Sequence, residues 1–271
     1  MSKETLYLNQ PYEDTDIKLI AIPTTAGTGS ESTRYAVIYY DGKKQSVTHD
    51  SIIPDVAILE PKVLKTLPLY QKKCTLLDAY SQGIESWWSV NSTDESKKLS
   101  KQAVEIITKW WRGYIFENTD ESVEKIMHAS NLAGQAICIT QTTAAHAFSY
   151  KLTSLYKLPH GHAVAVCLPE IWQYMIGHID KCLDSRGQNY LEEIFADIAH
   201  AMSCSSAQEA VAFFRQILID MEMQKPVSDN PSSDINILSS SVNPVRLKNN
   251  PVELDTEAIN CLYKEIVNEN L

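Results

Sequence analysis

Hydrophobic positions along this chain change their period near Pro68. Ahead of it the apolar runs are short and turn-bounded. Residues 18–22 read as a strand. Residues 34–40 and 44–47 flank Asp41-Gly42, a strong hairpin signal. Residues 51–59 read as a further strand with Pro54 at an edge or start. Beyond Pro68 the apolar residues recur at helical spacing. This predicts helices over 76–90, 122–139, 142–156, 161–176, 190–201, 207–221 and 256–267. One more runs from a capping signal at Ser92-Thr93-Asp94-Glu95 to about Trp111. Residues 1–16 are polar and turn-rich and read as a loop. Residues 225–236 and 239–250, rich in Pro, Asn and Ser, read as connectors.

The pattern divides the chain into a small β-rich part, residues 1–65, and a large all-helical part, residues 66–271. The first part is expected to be an α/β fragment, because no helix pattern precedes its first strand and no complete βαβ unit forms. A lone strand of this kind cannot bury both of its faces without neighbours. The chain therefore reads as one whose α/β portion starts mid-fold.

Composition narrows the function. With 44% hydrophobic residues over 271 positions there is ample core. A net charge of −10 argues against nucleic acid as the main partner, since phosphate binding needs clustered Lys and Arg. It also argues against anionic membrane surfaces. No apolar run approaches the ~20 residues of a membrane span, and residues 1–10 show no signal pattern. The six cysteines form no CxxC or zinc-type spacing. The reading is a reduced, cytoplasmic, soluble protein without a nucleic-acid or membrane partner.

Three stretches carry chemistry. The first is Pro23-Thr24-Thr25-Ala26-Gly27-Thr28-Gly29-Ser30-Glu31, where a strand ends in a small, hydroxyl-rich, Gly-containing loop. Such a loop suits an anion, through close backbone N–H groups and hydroxyl donors. A plain strand-to-turn connection has the same composition. The second is Asp78-Ala79-Tyr80-Ser81-Gln82, whose i, i+4 spacing puts Asp78 and Gln82 on one helix face, able to chelate one ion. The alternatives are a helix N-terminal charge and an ordinary polar face. The third holds His146 and His160, separated by a largely apolar helical stretch. Each is either a satisfied core histidine or a metal ligand. One carboxylate and two imidazoles suit Zn²⁺ or Fe²⁺.

Taken together and in this order, the loop at 23–31, the helix Asp78-Ala79-Tyr80-Ser81-Gln82-Gly83-Ile84-Glu85 and the segment from His146 to Pro159-His160-Gly161 resemble the iron-containing (group III) alcohol dehydrogenase family. The resemblance covers essentially the whole chain. It implies a dehydroquinate synthase-like architecture and NAD- or NADP-linked interconversion of a small aldehyde and its alcohol on a divalent metal, Fe or Zn. It places the metal on Asp78, His146 and His160, with Gln82 where the family has a further histidine ligand. Tyr150 stands where a second histidine is frequent, one turn after the first His ligand. It implies cofactor contacts from Thr24, Thr25, Gly27 and Thr28, and from Thr33 and Lys44. Tyr150 and His162 are candidates for proton relay or support of the ligands, against helix packing for Tyr150 and a solvent-facing place for His162. The family's opening Gly-Gly-Gly-Ser pyrophosphate turn is absent from the sequence, so the resemblance is to a front-truncated member, with strands and hairpin left from a nucleotide-binding domain. Gln82 with Glu85-Ser86-Trp87 resembles the branch that reduces phosphonoacetaldehyde. Two other readings remain: an inactive fragment or half-enzyme completed by a separate N-terminal chain, and a metal-dependent lyase related to dehydroquinate synthase. A homodimer fits the same resemblance.

Overall fold

The computed structural model describes residues 17–40, 43–242 and 244–269. The β-rich part is built of paired ribbons. Strands β1 (Ile20–Ala21) and β4 (Val56–Ala57) pair in parallel, while β2 (Tyr35–Tyr40) and β3 (Lys43–Thr48) form an antiparallel hairpin in the register Tyr35 opposite Thr48. The hairpin falls where the alternation predicted it; the Asp41-Gly42 turn and the loop expected at 1–16 lie outside the described residues. The strand expected over 51–59 shrinks to β4, because Asp50–Ile52 closes a 3₁₀ turn capped by the His49 side chain. Ile20, Ile22, Val56 and Ile58 are all about half exposed, so this short ribbon shows apolar side chains to the outside.

From Leu69 onward the fold is helical. Helices α1 (Leu69–Trp88), α2 (Asp94–Arg112), α3 (Asp120–Thr140), α4 (Ala144–Tyr156), α5 (His160–Gly177), α6 (Gln188–Ala201), α7 (Ala207–Asp220), α8 (Pro231–Ser241), α9 (Pro244–Leu247) and α10 (Thr256–Ile266) follow in order. A small α/β part followed by a large all-α part is therefore the architecture, as the hydrophobic periods indicated. The cap predicted near residue 93 is present: Thr93 and Ser96 form a reciprocal capping box. The connectors predicted at 225–236 and 239–250 are partly helical. Asn230 caps α8 and Pro231 opens it, while Ile235 and Leu238, at i, i+3 among serines, turn inward.

Helix α1 is the axis of the molecule. Every residue from Lys72 to Trp88 is buried, and α2, α3 and α5 pack around it. A helix buried on all sides has no polar face to show solvent, so each polar residue within it needs a partner. Around its C-terminal end Trp88, Trp172 and Phe195 meet edge to face, with centroids 5.4 and 6.1 Å apart from Trp88. Among the described residues no helix is long and apolar enough to cross a membrane.

Candidate metal centre and its pocket

Helix α1 carries Asp78, Gln82 and Glu85 at i, i+4 and i+7, one face of the helix. Helix α4 brings His146 to that face and α5 begins on it with His160. The approach of α5 depends on Gly161. A Cβ there would lie 2.0 Å from the Cys74 carbonyl oxygen and 2.9 Å from Asp78 Cβ, so only glycine lets the start of α5 lie against α1.

Asp78 Oδ1 lies 3.3 Å from His146 Nε2 and 3.9 Å from His160 Nε2, and the three ligand atoms fall within 4.8 Å of one another. Asp78, Gln82 and His146 are each under 5% exposed. Asp78 Oδ1, His146 Nε2 and Gln82 Oε1 are buried without a hydrogen-bond partner. An unsatisfied buried polar atom costs about 1–3 kcal/mol, and three on residues lining one cavity call for a shared occupant. A carboxylate oxygen, two imidazole nitrogens and an amide oxygen are a donor set that a divalent metal satisfies, so these residues fit the metal the sequence implied.

Glu85, fully buried, supports this set from below. Its Oε1 accepts from Thr143 N (3.1 Å), Thr143 Oγ1 (2.7 Å) and Ala145 N (3.0 Å), capping the start of α4 from another helix. Its Oε2 contacts His146 Nδ1 directly. That fixes the Nδ1 proton and turns Nε2 toward Asp78, the carboxylate–histidine arrangement that orients metal ligands. Trp88 Nε1 donates to Thr143 Oγ1 (2.9 Å), holding the cap in place. Burial alone would depress the His146 pKa, but the Glu85 and Asp78 carboxylates outweigh it and raise it to about 9. Burial likewise opposes the Asp78 charge, yet His146 and His160 hold its carboxyl below the usual range.

A cavity of about 370 Å³ opens over this cluster, within the usual range for small-ligand sites. Tyr150 lines it, its ring parallel to that of His160 at 6.1 Å, and burial raises its phenol pKa. It therefore keeps its proton at neutral pH and can donate a hydrogen bond. Thr28 and Thr33 also line the cavity. Thr24 is exposed and Thr25 half-buried, both outside the cavity wall; Gly27 packs against Thr75. The Lys44 side chain lies outside the described residues. His162 is turned away from the cavity: Nδ1 meets the Tyr70 hydroxyl and Nε2 the Gln224 carbonyl, both at 2.9 Å. Neither ring nitrogen is left for proton relay, and burial lowers its pKa. It stands two residues past His160, roughly 200° round the helix.

Sequence reasoning gave no role to Glu85, Tyr35 or Arg246. Glu85 had a usable signal, seven residues after Asp78 on the same helix face. Tyr35 and Arg246 had none, since they reach the cavity wall from opposite ends of the chain.

Comparison with known proteins shows the family of the chain. Residues 73–267 match the model of the Fe-containing alcohol dehydrogenase family, C-terminal, and residues 2–61 that of iron-containing alcohol dehydrogenase. The chain is 29% identical over 255 residues to phosphonoacetaldehyde reductase of Streptomyces viridochromogenes, covering 92% of this chain and 64% of that protein. It is 31% identical over 230 residues to long-chain-alcohol dehydrogenase 1 of Geobacillus thermodenitrificans, covering 82% of this chain and 54% of that protein. Sulfoacetaldehyde reductase from Bifidobacterium kashiwanohense, solved in complex with NAD⁺, superposes with a TM-score of 0.84 at 26% identity, over 96% of this chain and 68% of that one. The chain thus spans less than two thirds of the length of these two curated relatives.

Proposed function

We propose, from the premise that the chain belongs to the iron-containing alcohol dehydrogenase family, that it serves the NAD- or NADP-linked interconversion of an aldehyde and its alcohol on a divalent metal. The metal is held by Asp78, His146 and His160, with Gln82 beside them. The substrate is phosphonoacetaldehyde or a near relative of it. What carries the reading is the meeting of three unsatisfied buried donor atoms on Asp78, Gln82 and His146. The names of two of the relatives above, reductases of phosphonoacetaldehyde and sulfoacetaldehyde, support the substrate class. In this reading residues up to 65 carry the cofactor-facing loop and hairpin, and residues 66–271 the metal half.

Bound there, a divalent metal supplies Lewis acidity toward a carbonyl or hydroxyl oxygen, and the nicotinamide carries the hydride. Asp78 contributes the one negative charge among the four ligands. Gln82 is neutral, as a histidine would be, but a weaker donor. Glu85 holds the proton of His146 at Nδ1 and so leaves Nε2 to coordinate. Tyr150, protonated and facing the cavity, donates a hydrogen bond to a substrate oxygen. Thr28 and Thr33 offer hydroxyls in the same cavity for the cofactor.

The test is metal analysis of the purified chain, followed by NADH and NADPH oxidation with phosphonoacetaldehyde. Stoichiometric metal that is lost in Asp78→Ala and His146→Ala, with aldehyde-dependent oxidation of either cofactor, is the expected result. Metal content indifferent to both substitutions refutes the site.

A further inference from the structure

The cavity over the metal cluster has a positive side chain in its wall, Arg246. It sits on α9, which packs against α4, the helix that carries His146 and Tyr150. It is half-buried, and near enough to the Tyr35 and Tyr150 hydroxyls to favour their ionised forms. Among the described residues no carboxylate forms an ion pair with its guanidinium and no acceptor takes a hydrogen bond from it. A partly desolvated guanidinium ordinarily finds such a partner. The whole chain carries ten more negative than positive charges, so carboxylates to pair with it are plentiful. Its forked, always-charged donor array matches the oxygens of an oxyacid group.

We infer that Arg246 is the specificity-determining residue of this pocket, binding the phosphonate or sulfonate of a short aldehyde or alcohol whose reacting oxygen lies over Asp78, His146 and His160. The inference rests on the aldehyde–alcohol reading above and narrows its substrate class to small carbonyl compounds bearing a tetrahedral oxyanion. The alternative charge lies on Asp78, whose negative carboxylate repels an anion. Metal coordination neutralises that repulsion, while Arg246 supplies the attraction from the cavity wall. Thr142 adds a hydroxyl to the same cavity. A neutral alcohol of the same length gains nothing from the guanidinium, so discrimination is built into the wall of the pocket and not into the metal.

A phosphate of the cofactor has the same oxyanion chemistry as a substrate phosphonate, and the experiment separates the two. The zinc-loaded chain is titrated calorimetrically with ethylphosphonate, 2-hydroxyethylphosphonate, 2-hydroxyethanesulfonate, 1-butanol and ADP. The same titrations are run on Arg246→Gln and Arg246→Lys, with zinc affinity measured alongside. We expect the phosphonates and the sulfonate to bind, and Arg246→Gln to weaken them by roughly 30-fold or more. Lysine should restore part of the loss, while 1-butanol, ADP and zinc bind all three proteins alike. Ethylphosphonate binding that is absent from the parent chain, or unchanged in Arg246→Gln, overturns the assignment. So does a selective loss of ADP, which would place the guanidinium on the cofactor. Because ethylphosphonate has no oxidisable hydroxyl, its Arg246-dependent binding upholds the anion anchor even if 2-hydroxyethylphosphonate is never oxidised. That last result would count against the dehydrogenase reading alone.

Discussion

Replacing Glu85 with glutamine changes one atom for another of similar size and should disarm the metal site. The carboxylate serves five donors: Thr143 N, Thr143 Oγ1, Ala145 N and His146 N on one oxygen, and His146 Nδ1 on the other. A carboxamide has a single acceptor oxygen. Keeping it on the four donors at the start of α4 turns the NH₂ toward His146 Nδ1. The imidazole must then accept at Nδ1 and carry its proton on Nε2, where it faces Asp78 and cannot coordinate. The reverse placement aims an NH₂ at three backbone N–H groups, which leaves them unsatisfied. Either way one charge-assisted bond in a fully buried place is lost, at a cost of about 3 kcal/mol. For a chain of this size that corresponds to a fall in Tm of roughly 6–12 °C. Metal affinity should fall by roughly 10–100-fold, the usual effect of removing a carboxylate behind a ligating histidine. Thermal denaturation of the metal-free Glu85→Gln protein and competition titration with Zn²⁺ measure the two effects separately. A variant that melts within a degree or so of the parent and binds zinc as tightly would show that Glu85 neither caps α4 nor orients His146.

Gln82→His should tighten zinc binding, because an imidazole replaces the weaker amide donor; equal affinity in a chelator competition would place Gln82 outside the coordination sphere. Gly161→Ala should destabilise the protein by about 3 kcal/mol or more and reduce metal content, since its Cβ would overlap the Cys74 carbonyl; urea denaturation with an unchanged midpoint would contradict the close approach of α5 to α1. Burial lowers the His162 pKa, so the unfolded chain binds the proton first. Its contribution to stability is complete above the unfolded value near 6.5 and is lost as pH falls through the lower folded value. Denaturation midpoints measured from pH 8 to 5 should therefore fall less steeply for His162→Gln than for the parent, and parallel curves would rule the effect out.

Long amphipathic or wholly apolar spans were legible in the sequence, since their spacing is imposed by the helix itself. Their ends were less so. Helix α1 begins seven residues before its predicted start because Pro68 sets the N-terminus and the apolar residues of the first turn, Leu69 and Tyr70, stay half exposed. Helix α8 hid among serines, with only Ile235 and Leu238 marking its inner side. Asp78, His146 and His160 could be named through their resemblance to a known order of motifs, and the fold brings them together. His162 could not be separated from His160 by composition; rotation about the α5 axis sends it to Tyr70 and Gln224 instead. Glu85 could be placed by its spacing on the face of Asp78, but nothing in the sequence assigned it a role. Its role depends on α1 being enclosed by three neighbours, which no local pattern records.

The loop after β1 is fastened to the helices at successive points along its length. Gly27 lies against Thr75 of α1, and Gly29, at φ +61°, lies against Gly134 of α3, each too close for a Cβ. Asn131 Nδ2 donates to Glu31 Oε1 at 3.0 Å, and the Tyr35 hydroxyl donates to the Ile137 carbonyl at 3.1 Å. The polypeptide therefore changes mechanical allegiance inside the β-rich part, well before the sequence boundary near residue 65. If the ribbons and the helices rotate relative to one another, residues 27–35 travel with the helices. Thr28 and Thr33 then keep constant coordinates relative to Asp78, His146 and His160 whatever the β1–β4 ribbon does. Displacement of that ribbon alone would leave the site's internal ruler unchanged.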